Sequence, residues 1–154
     1  MNKLIGVIGS GNQSKRDDET AFQVGRLIAE SQAILVCGGL SGVMEAACRG
    51  ASLPGGRAVG ILPGDDRADA NPYVTIPIPT GMGIARNVLV VKTSDVLIAL
   101  GGGSGTLSEI AIALKLEKPV IDLGGWKIKG TKRAAGPEEA VRLALSLAGC
   151  TSAE

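Results

Sequence analysis

Residues 94–109 read SDVLIALGGGSGTLSE, an apolar run followed by a glycine-rich turn and the beginning of a helical pattern. A short, continuous apolar run bounded by turn residues is typical of a parallel strand that is buried on both faces of a sheet. A related turn, GGLSGVME, occupies residues 38–45 and follows the apolar run AILVC at 33–37. Two junctions of the same kind, each joining a strand to a helix, predict an α/β fold.

The alternation of strand and helix patterns continues along the 154 residues. Strands are predicted at 3–9, 33–37, 57–62, 73–78, 94–100 and 119–123. Helices are predicted at 20–31, 44–51, 84–92, 106–116 and 137–147, while residues 124–136 carry no clear pattern. We therefore expect a three-layer fold with a mainly parallel sheet of six to seven strands, in a single domain that spans residues 1–154.

Composition excludes several classes of function. The formal net charge is +1 and the chain has one Trp, one Tyr and one Phe, which argues against nucleic-acid binding by charge or by base stacking. Histidine is absent, which removes Ser-His-Asp triads and His-ligated metal sites. Cys37, Cys48 and Cys150 lack the spacing of metal ligands, so free thiols and no metal site are expected. No apolar stretch reaches the ~18 residues of a membrane span, and residues 1–9 are too short for a signal peptide. These features predict a soluble, cytoplasmic protein without a membrane partner.

Three glycine-rich turns follow predicted strands, at residues 9–14, 38–42 and 101–105. In parallel sheets ligands bind beyond the carboxyl ends of the strands, where the N–H groups at helix N-termini attract anions. Glycine allows the backbone to approach a phosphate closely. The three turns together favour a phosphorylated, nucleotide-like ligand, although glycines that only permit tight turns remain an alternative at each one.

Two standard nucleotide motifs are not satisfied. A P-loop requires Gly-Lys-Ser/Thr at its end, and neither Gly105-Thr106 nor Gly42-Val43 supplies the lysine. A dinucleotide fingerprint beginning at Gly9 and Gly11 has Ser14 in place of its third glycine. These departures argue against an NAD-dependent redox enzyme.

Without histidine, acid–base chemistry falls mainly to carboxylates, and Glu45 and Glu109 each follow a glycine turn. Thr106 and Glu109 have the spacing of a capping box, so Glu109 has both a structural and a catalytic interpretation. Arg86 lies near the start of the predicted 84–92 helix, where it can reach an anion or form a surface ion pair. That helix is apolar on almost every side, which predicts contact with a partner subunit as well as with the sheet.

At these residues the sequence resembles the family once labelled "possible lysine decarboxylase", which includes the LONELY GUY phosphoribohydrolases. It is most similar to the compact bacterial branch that resembles molybdenum-cofactor carrier proteins. The family pattern Pro-Gly-Gly-x-Gly-Thr-x-x-Glu is matched by residues 101–109 except at the leading proline, where Gly101 stands. Arg86 matches the arginine of an Arg-Lys pair, Asn87 replaces the lysine, and Asp95 holds a later acidic position. The similarity extends from about Leu4 to Ile121.

The resemblance implies a Rossmann-like fold and a homodimer or tetramer that associates through the 84–92 helix. It implies that Arg86 and Glu109 are the catalytic pair in members that hydrolyse nucleoside monophosphates, with Glu109 stabilising an oxocarbenium-like sugar cation. A lysine decarboxylase is not expected, because no lysine suggests a Schiff base. The residues expected to bind the nucleotide or its phosphate are Gly9, Ser10, Gly39, Gly42, Asn87, Gly102, Gly103, Ser104, Gly105 and Thr106.

Two functions follow from these expectations. The first is a nucleotide-binding phosphoribohydrolase that cleaves the N-glycosidic bond of nucleoside 5′-monophosphates. The second is a carrier or sensor that binds a molybdopterin-like or nucleotide ligand without catalysis. Neither function requires a further cofactor, and in both the partner is a phosphorylated small molecule. Asn87 and Gly101 favour the carrier, whereas Arg86 and Glu109 favour the hydrolase.

Overall fold

The computed structural model describes residues 1–12 and 14–149. These residues form seven strands and five helices. The strands are β1 Leu4–Ile8, β2 Ile34–Cys37, β3 Ala58–Leu62, β4 Ile76–Pro79, β5 Val96–Ala99, β6 Val120–Asp122 and β7 Lys132–Arg133. The helices are α1 Lys15–Glu30, α2 Val43–Ser52, α3 Asn87–Thr93, α4 Ser104–Lys115 and α5 Pro137–Leu147, with 3-10 turns at Arg67–Asp69 and Gly83–Arg86.

The strands form one sheet in the order β4-β3-β2-β1-β5-β6-β7, and each of its six described strand pairs is parallel. β1 lies at the centre and is paired with β2 on one side and β5 on the other. Along the sequence, the sheet therefore grows from β1 to β4 on one side. The chain then returns to the centre and adds β5, β6 and β7 on the other side. This is the doubly wound, Rossmann-like arrangement, and it confirms the predicted three-layer α/β fold.

Helices cover both faces of the sheet. On one face α1 packs against α2 and α5, and on the other α3 packs against α4. Each face has its own apolar core: Val24, Ile28 and Ala47 belong to the first, and Val90, Val91 and Ile110 to the second. Because the central strands are buried on both faces, they consist of the continuous apolar runs that made them recognisable in the sequence.

The α1–α2 contact depends on two glycines. A Cβ at Gly25 would overlap the Ala47 carbonyl, and a Cβ at Gly50 would overlap the Phe22 carbonyl. The backbones of the two helices therefore approach each other more closely than any side chain would permit. Arg49 lies over the Phe22 ring at 5.2 Å and covers one end of this contact.

Several predicted boundaries are corrected by the structure. α1 begins at Lys15 and not at residue 20, because its polar first turn carries Asp17 and Asp18, which are favourable at a helix N-terminus. The predicted 84–92 helix is divided into the 3-10 turn Gly83–Arg86 and the short helix α3. β4 begins at Ile76 instead of residue 73. The unassigned segment 124–136 contains the edge strand β7, which the sequence analysis missed.

Two further expectations concern the cysteines and the membrane. Cys37 and Cys48 are free and buried, with their sulfur atoms 3.5 Å apart, whereas Cys150 lies outside the described residues. Within residues 1–12 and 14–149, no helix combines the length and apolar character that a membrane span requires.

Candidate functional site

The candidate site lies where the winding of the sheet reverses, at the carboxyl ends of β1 and β5. β1 continues into α1 on one face of the sheet, while β5 continues into α4 on the other. The two connections diverge and leave a crevice between them, the usual ligand position in such sheets. Ser10 holds the crevice together, because its N–H donates to the Gly101 carbonyl at 2.7 Å and its carbonyl accepts from Val43 N at 3.0 Å.

A cavity of about 300 Å³ occupies this crevice. That volume is at the small end of the range for ligand sites, which runs from ~300 to ~1,000 Å³. Its lining comes from the end of β1, the turns after β1 and β2, the first turn of α2, the junction of the 3-10 turn with α3, and the first turns of α4. The lining residues are Val7, Ile8, Gly9, Ser10, Gly11, Asn12, Gly38, Met44, Arg86, Asn87, Gly103, Ser104, Gly105, Thr106 and Glu109.

The N-terminus of α4 forms one wall of the cavity. The first intrahelical bond runs from Leu107 N to the Gly103 carbonyl at 3.0 Å, so the N–H groups of the preceding residues have no acceptor within the helix. A Cβ placed at Gly103 or Gly105 would meet no heavy atom within 4 Å. Amides without an acceptor in the helix, the positive end of the helix dipole and open space together make this turn suitable for an anion.

The predicted capping box is wrong. α4 begins at Ser104 with Gly103 as its N-cap, and no side chain caps the helix. Thr106 lies inside the first turn, where its side chain occupies the position that a Cβ of Gly102 would take. The lack of a side chain at residues 102 and 103 lets the helix begin earlier than the capping pattern predicted. Glu109 is therefore not the capping partner of Thr106.

Glu109 is a buried carboxyl group on the cavity wall, with 7% of its surface exposed. No residue in the described part of the chain donates a hydrogen bond to this carboxyl. Burial raises its pKa to about 7, and the Arg86 guanidinium opposes the rise. Because its pKa lies near neutrality, the group can accept or donate a proton in that pH range.

Arg86 is also buried and lines the same cavity. Burial lowers its pKa, while Glu109 and the Cys37 thiol oppose this change. One of its terminal nitrogens, Nη2, makes a long contact of 3.4 Å with the Gly38 carbonyl, and its Nε has no partner among the described residues. A cation that is buried and only partly hydrogen-bonded is well suited to an anionic or oxygen-rich ligand.

Asn87 connects Arg86 with α4. Its Oδ1 accepts a hydrogen bond from Arg86 Nη1, and its Nδ2 donates to Ser108 Oγ at 3.2 Å. Ser108 Oγ in turn donates to the Gly105 carbonyl at 2.6 Å. The chain of contacts therefore runs from the guanidinium to the glycine-containing first turn of α4.

The structure gathers most of the predicted site residues around one cavity. Gly9, Ser10, Arg86, Asn87, Glu109 and residues 103–106 line it, but Gly39, Gly42 and Gly102 do not. Gly42 instead packs against the Ser10 carbonyl, and Gly39 lies beside Leu62 and Gly60. Both have positive φ, so they shape the second glycine turn from outside the cavity. Glu45, the other candidate carboxylate, also lies outside the cavity lining.

The cavity lining also includes residues that were not named as site residues: Val7, Ile8, Gly11, Asn12, Gly38 and Met44. Of these, Gly11, Asn12 and Gly38 lie within the predicted glycine turns 9–14 and 38–42. A Cβ at Gly38 would lie 2.6 Å from Arg86 Nη2 and 2.8 Å from Met44 Sδ, so this glycine makes room for both side chains. The first glycine turn, which begins at Gly9, was an available signal for Gly11 and Asn12. Met44 carried no comparable signal, because only the folded chain brings it beside Arg86.

Five large apolar side chains between residues 76 and 88 are exposed: Ile76, Ile78, Met82, Ile84 and Val88, of which Ile84 is 89% exposed. They come from the edge strand β4, from the 3-10 turn with its N-cap Met82, and from α3. Large apolar side chains grouped on a surface often mark a protein–protein contact. Of these residues, Ile84 and Val88 lie within the segment 84–92 that is predicted to contact a partner subunit.

Solved structures with similar folds include molybdenum-cofactor proteins. The molybdenum cofactor binding protein of Rippkaea orientalis is 40% identical and aligns with a TM-score of 0.91 over 96% of this chain and 98% of its own. The molybdenum cofactor carrier protein of Chlamydomonas reinhardtii is 35% identical, with a TM-score of 0.88 over 97% and 99% of the two chains.

Sequence comparison gives a consistent result. A protein of Archaeoglobus fulgidus, described only as uncharacterized, is 48% identical over 143 residues, which are 92% of this chain and 94% of that protein. Residues 2–146 match the SLOG cluster4 family, a match that includes the whole candidate site. The chain therefore belongs to the SLOG cluster4 family.

Proposed function

We propose that this protein binds and carries a molybdenum-cofactor-type ligand, a phosphorylated pterin, with the ligand phosphate at the N-terminus of α4. The proposal rests on two features of one cavity, each of which presents polar groups without a hydrogen-bond partner among the described residues. The first is the turn at residues 103–106, with free amides and open space at Gly103 and Gly105. The second is the buried Glu109 carboxyl, which no described residue satisfies with a hydrogen bond.

The chemistry of this pair fits such a ligand. A phosphate monoester is an anion that helix amides bind well. A pterin carries N–H donors and oxygen acceptors, for which Glu109 and Arg86 are suitable partners. Buried polar groups are normally hydrogen-bonded, so a ligand that satisfies them binds more tightly than one that does not. The two molybdenum-cofactor proteins, similar over nearly the whole chain, support this ligand class.

Cofactor transfer tests the carrier function directly. Molybdenum cofactor freshly released from a molybdoenzyme is mixed with the protein under anaerobic conditions, and the mixture is separated by gel filtration. We expect molybdenum and pterin fluorescence to co-elute with the protein in a fixed ratio. Arg86→Met should reduce the bound amount, whereas Arg142→Met, an exposed arginine on α5, should not. Failure of the wild-type protein to retain either pterin or molybdenum would refute the carrier function.

A second candidate function is hydrolysis of nucleoside 5′-monophosphates, and the shared cavity of Arg86 and Glu109 favours it. In this reaction the bond between the sugar C1′ and the base nitrogen breaks, and its electron pair leaves with the base. The Glu109 carboxylate stabilises the developing sugar cation and accepts a proton from the attacking water, whose oxygen bonds to C1′. The base gains one proton, and Arg86 binds phosphate or ribose oxygens.

The hydrolase is tested by incubating the protein with AMP, GMP, CMP and UMP, followed by assay for free base and ribose 5-phosphate. A hydrolase would release both products in equal amounts, and Glu109→Gln would abolish the release. If calorimetry shows that a monophosphate binds but no base is released, the carrier function is favoured over the hydrolase. Release that persists in Glu109→Gln would exclude the catalytic role of this residue.

A further inference from the structure

We propose that Asn87 is a positioning residue, which holds the Arg86 guanidinium in the cavity that Glu109 also lines and couples it to the first turn of α4. Asn87 is 7% exposed, and both ends of its side-chain amide are used within the protein. Its Oδ1 accepts from Arg86 Nη1 and its Nδ2 donates to Ser108 Oγ. Only the part of this inference that concerns ligand affinity rests on the proposed function.

Asn87 is the main anchor of the guanidinium. The other described hydrogen bond of this group is the long contact of Nη2 with the Gly38 carbonyl, at 3.4 Å, and Nε has no described partner. A long arginine side chain loses considerable conformational entropy when it is held in one rotamer. Without the Asn87 acceptor, little would keep the guanidinium in its present orientation.

The amide is suited to this position because it can accept and donate at the same time. A carboxylate would accept from Arg86 but would have no N–H for Ser108. A lysine would donate only and would add a second positive charge beside the guanidinium. Asn87 therefore orients the arginine while leaving it as the cation of the cavity lining, which contains no other lysine or arginine among the described residues.

The coupling reaches the anion-binding wall through Ser108. Ser108 Oγ donates to the Gly105 carbonyl at 2.6 Å, and Gly105 lies in the turn whose amides are free. Asn87 thus connects two parts of the site that the chain supplies from separate elements, the start of α3 and the start of α4. A preorganised site of this kind gains affinity, because the ligand does not have to order the side chains when it binds.

The electrostatic consequence can be measured without a ligand. Glu109 interacts with Arg86, which lowers the pKa of the carboxyl against the larger effect of burial. The other titratable group close to the guanidinium is the Cys37 thiol at the end of β2. If Asn87 holds Arg86 in place, its removal frees the guanidinium and weakens its effect on Glu109, so the pKa of Glu109 should rise.

The test compares Asn87→Leu, which has the same branched shape and no polar group, with Ser108→Ala, which breaks the other end of the chain of contacts. The Glu109 carboxyl carbon is titrated by NMR in the protein without ligand. We expect the midpoint in Asn87→Leu to lie above that of the wild-type protein, and the midpoint in Ser108→Ala to equal that of the wild-type protein. Asn87→Ser is measured in parallel, so the test does not depend on Asn87→Leu folding.

Affinity for inorganic phosphate is then measured by calorimetry, and we expect about a tenfold loss in the Asn87 variants. An unchanged Glu109 midpoint in both Asn87 variants would overturn the positioning role, as would an equal rise in Ser108→Ala. Phosphate affinity equal to the wild type would overturn the role in binding. If the midpoint rises but the wild-type protein binds neither phosphate nor any phosphorylated compound, the proposed function fails and the positioning role stands.

Discussion

Arg86 and Glu109 line one cavity, both buried, and interact electrostatically, yet they are not among the ion pairs of the described structure. Because no described residue forms a salt bridge or hydrogen bond with the Glu109 carboxyl, burial disfavours its charged form, and the Arg86 charge offsets only part of this effect. The fold therefore tolerates a local destabilisation at the site, which a ligand or a proton can relieve.

Glu109 should make the stability of the protein depend on pH. Its pKa is about 7 in the folded state against a reference value of 4.5, so between these values the folded state binds more protons than the unfolded state. The contribution is complete below pH 4.5 and is lost as the pH rises through 7. The difference corresponds to about 3 kcal/mol in the free energy of unfolding.

Glu109→Gln should remove this dependence and make the variant more stable than the wild type at pH 8. Urea unfolding between pH 5 and 8 measures the difference. Glu138→Gln, an exposed carboxylate in the first turn of α5, is the control and should follow the wild-type curve. Parallel curves for the wild type and Glu109→Gln would contradict the assignment of the pH dependence to Glu109.

Two neighbouring glycines should separate folding from binding. Gly103→Ala places a methyl group in open space on the cavity wall, so stability should change by less than about 0.5 kcal/mol. Gly102→Ala overlaps the Thr106 side chain and should cost about 1–3 kcal/mol. Thermal unfolding with phosphate titration distinguishes them: Gly103→Ala should keep its melting temperature but bind phosphate more weakly. Normal phosphate binding by Gly103→Ala would argue against the anion site.

The segment 76–88, with exposed apolar side chains that include Ile84, should be a subunit contact. We expect the wild-type protein to have at least the mass of a dimer by light scattering, and Ile84→Glu to yield monomers, because a buried unpaired charge is strongly unfavourable. Leu53→Glu, at an equally apolar exposed position at the end of α2, is the matched control and should keep the wild-type mass. A monomeric wild-type protein would exclude this assembly.

Gly50→Ala should destabilise the fold although alanine is the better helix former. In an ordinary helix interior the change stabilises by about 1 kcal/mol. Here the new methyl group would overlap the Phe22 carbonyl, and we expect a net loss of about 1–3 kcal/mol as α1 and α2 separate. Gly105→Ala, also helical but with open space around it, is the stability control. A gain in stability in Gly50→Ala, measured by urea unfolding, would contradict the close packing.

The central part of the fold could be predicted because its strands are buried on both faces. β1, β2, β3 and β5 are continuous apolar runs, and each was located to within two residues. β7 could not be found, because its two residues, Lys132 and Arg133, are polar and exposed at the sheet edge. The start of α1 was missed for a similar reason, since its first turn is charged and carries no apolar periodicity.

The lining of the candidate site could be predicted where one local pattern contains both the glycine turn and the carboxylate, as in residues 103–109. It could not be predicted where contacts between distant parts of the chain determine which residues line the cavity. Gly39 and Gly42 have the same pattern, but their positive φ angles and close packing direct them away from the cavity, while Gly38 and Met44 line it. Nor does local spacing separate a capping box from a helix that begins two residues earlier.

The hydrogen bond from Ser10 N to the Gly101 carbonyl joins the turn after β1 to the turn after β5 before any ligand arrives. Folding therefore fixes two loops that are distant in sequence, and ligand binding does not have to order them. Association should then be a single bimolecular step, with an observed rate that rises linearly with ligand concentration and shows no plateau from a preceding conformational change. Related ligands should then differ in affinity mainly through their dissociation rates.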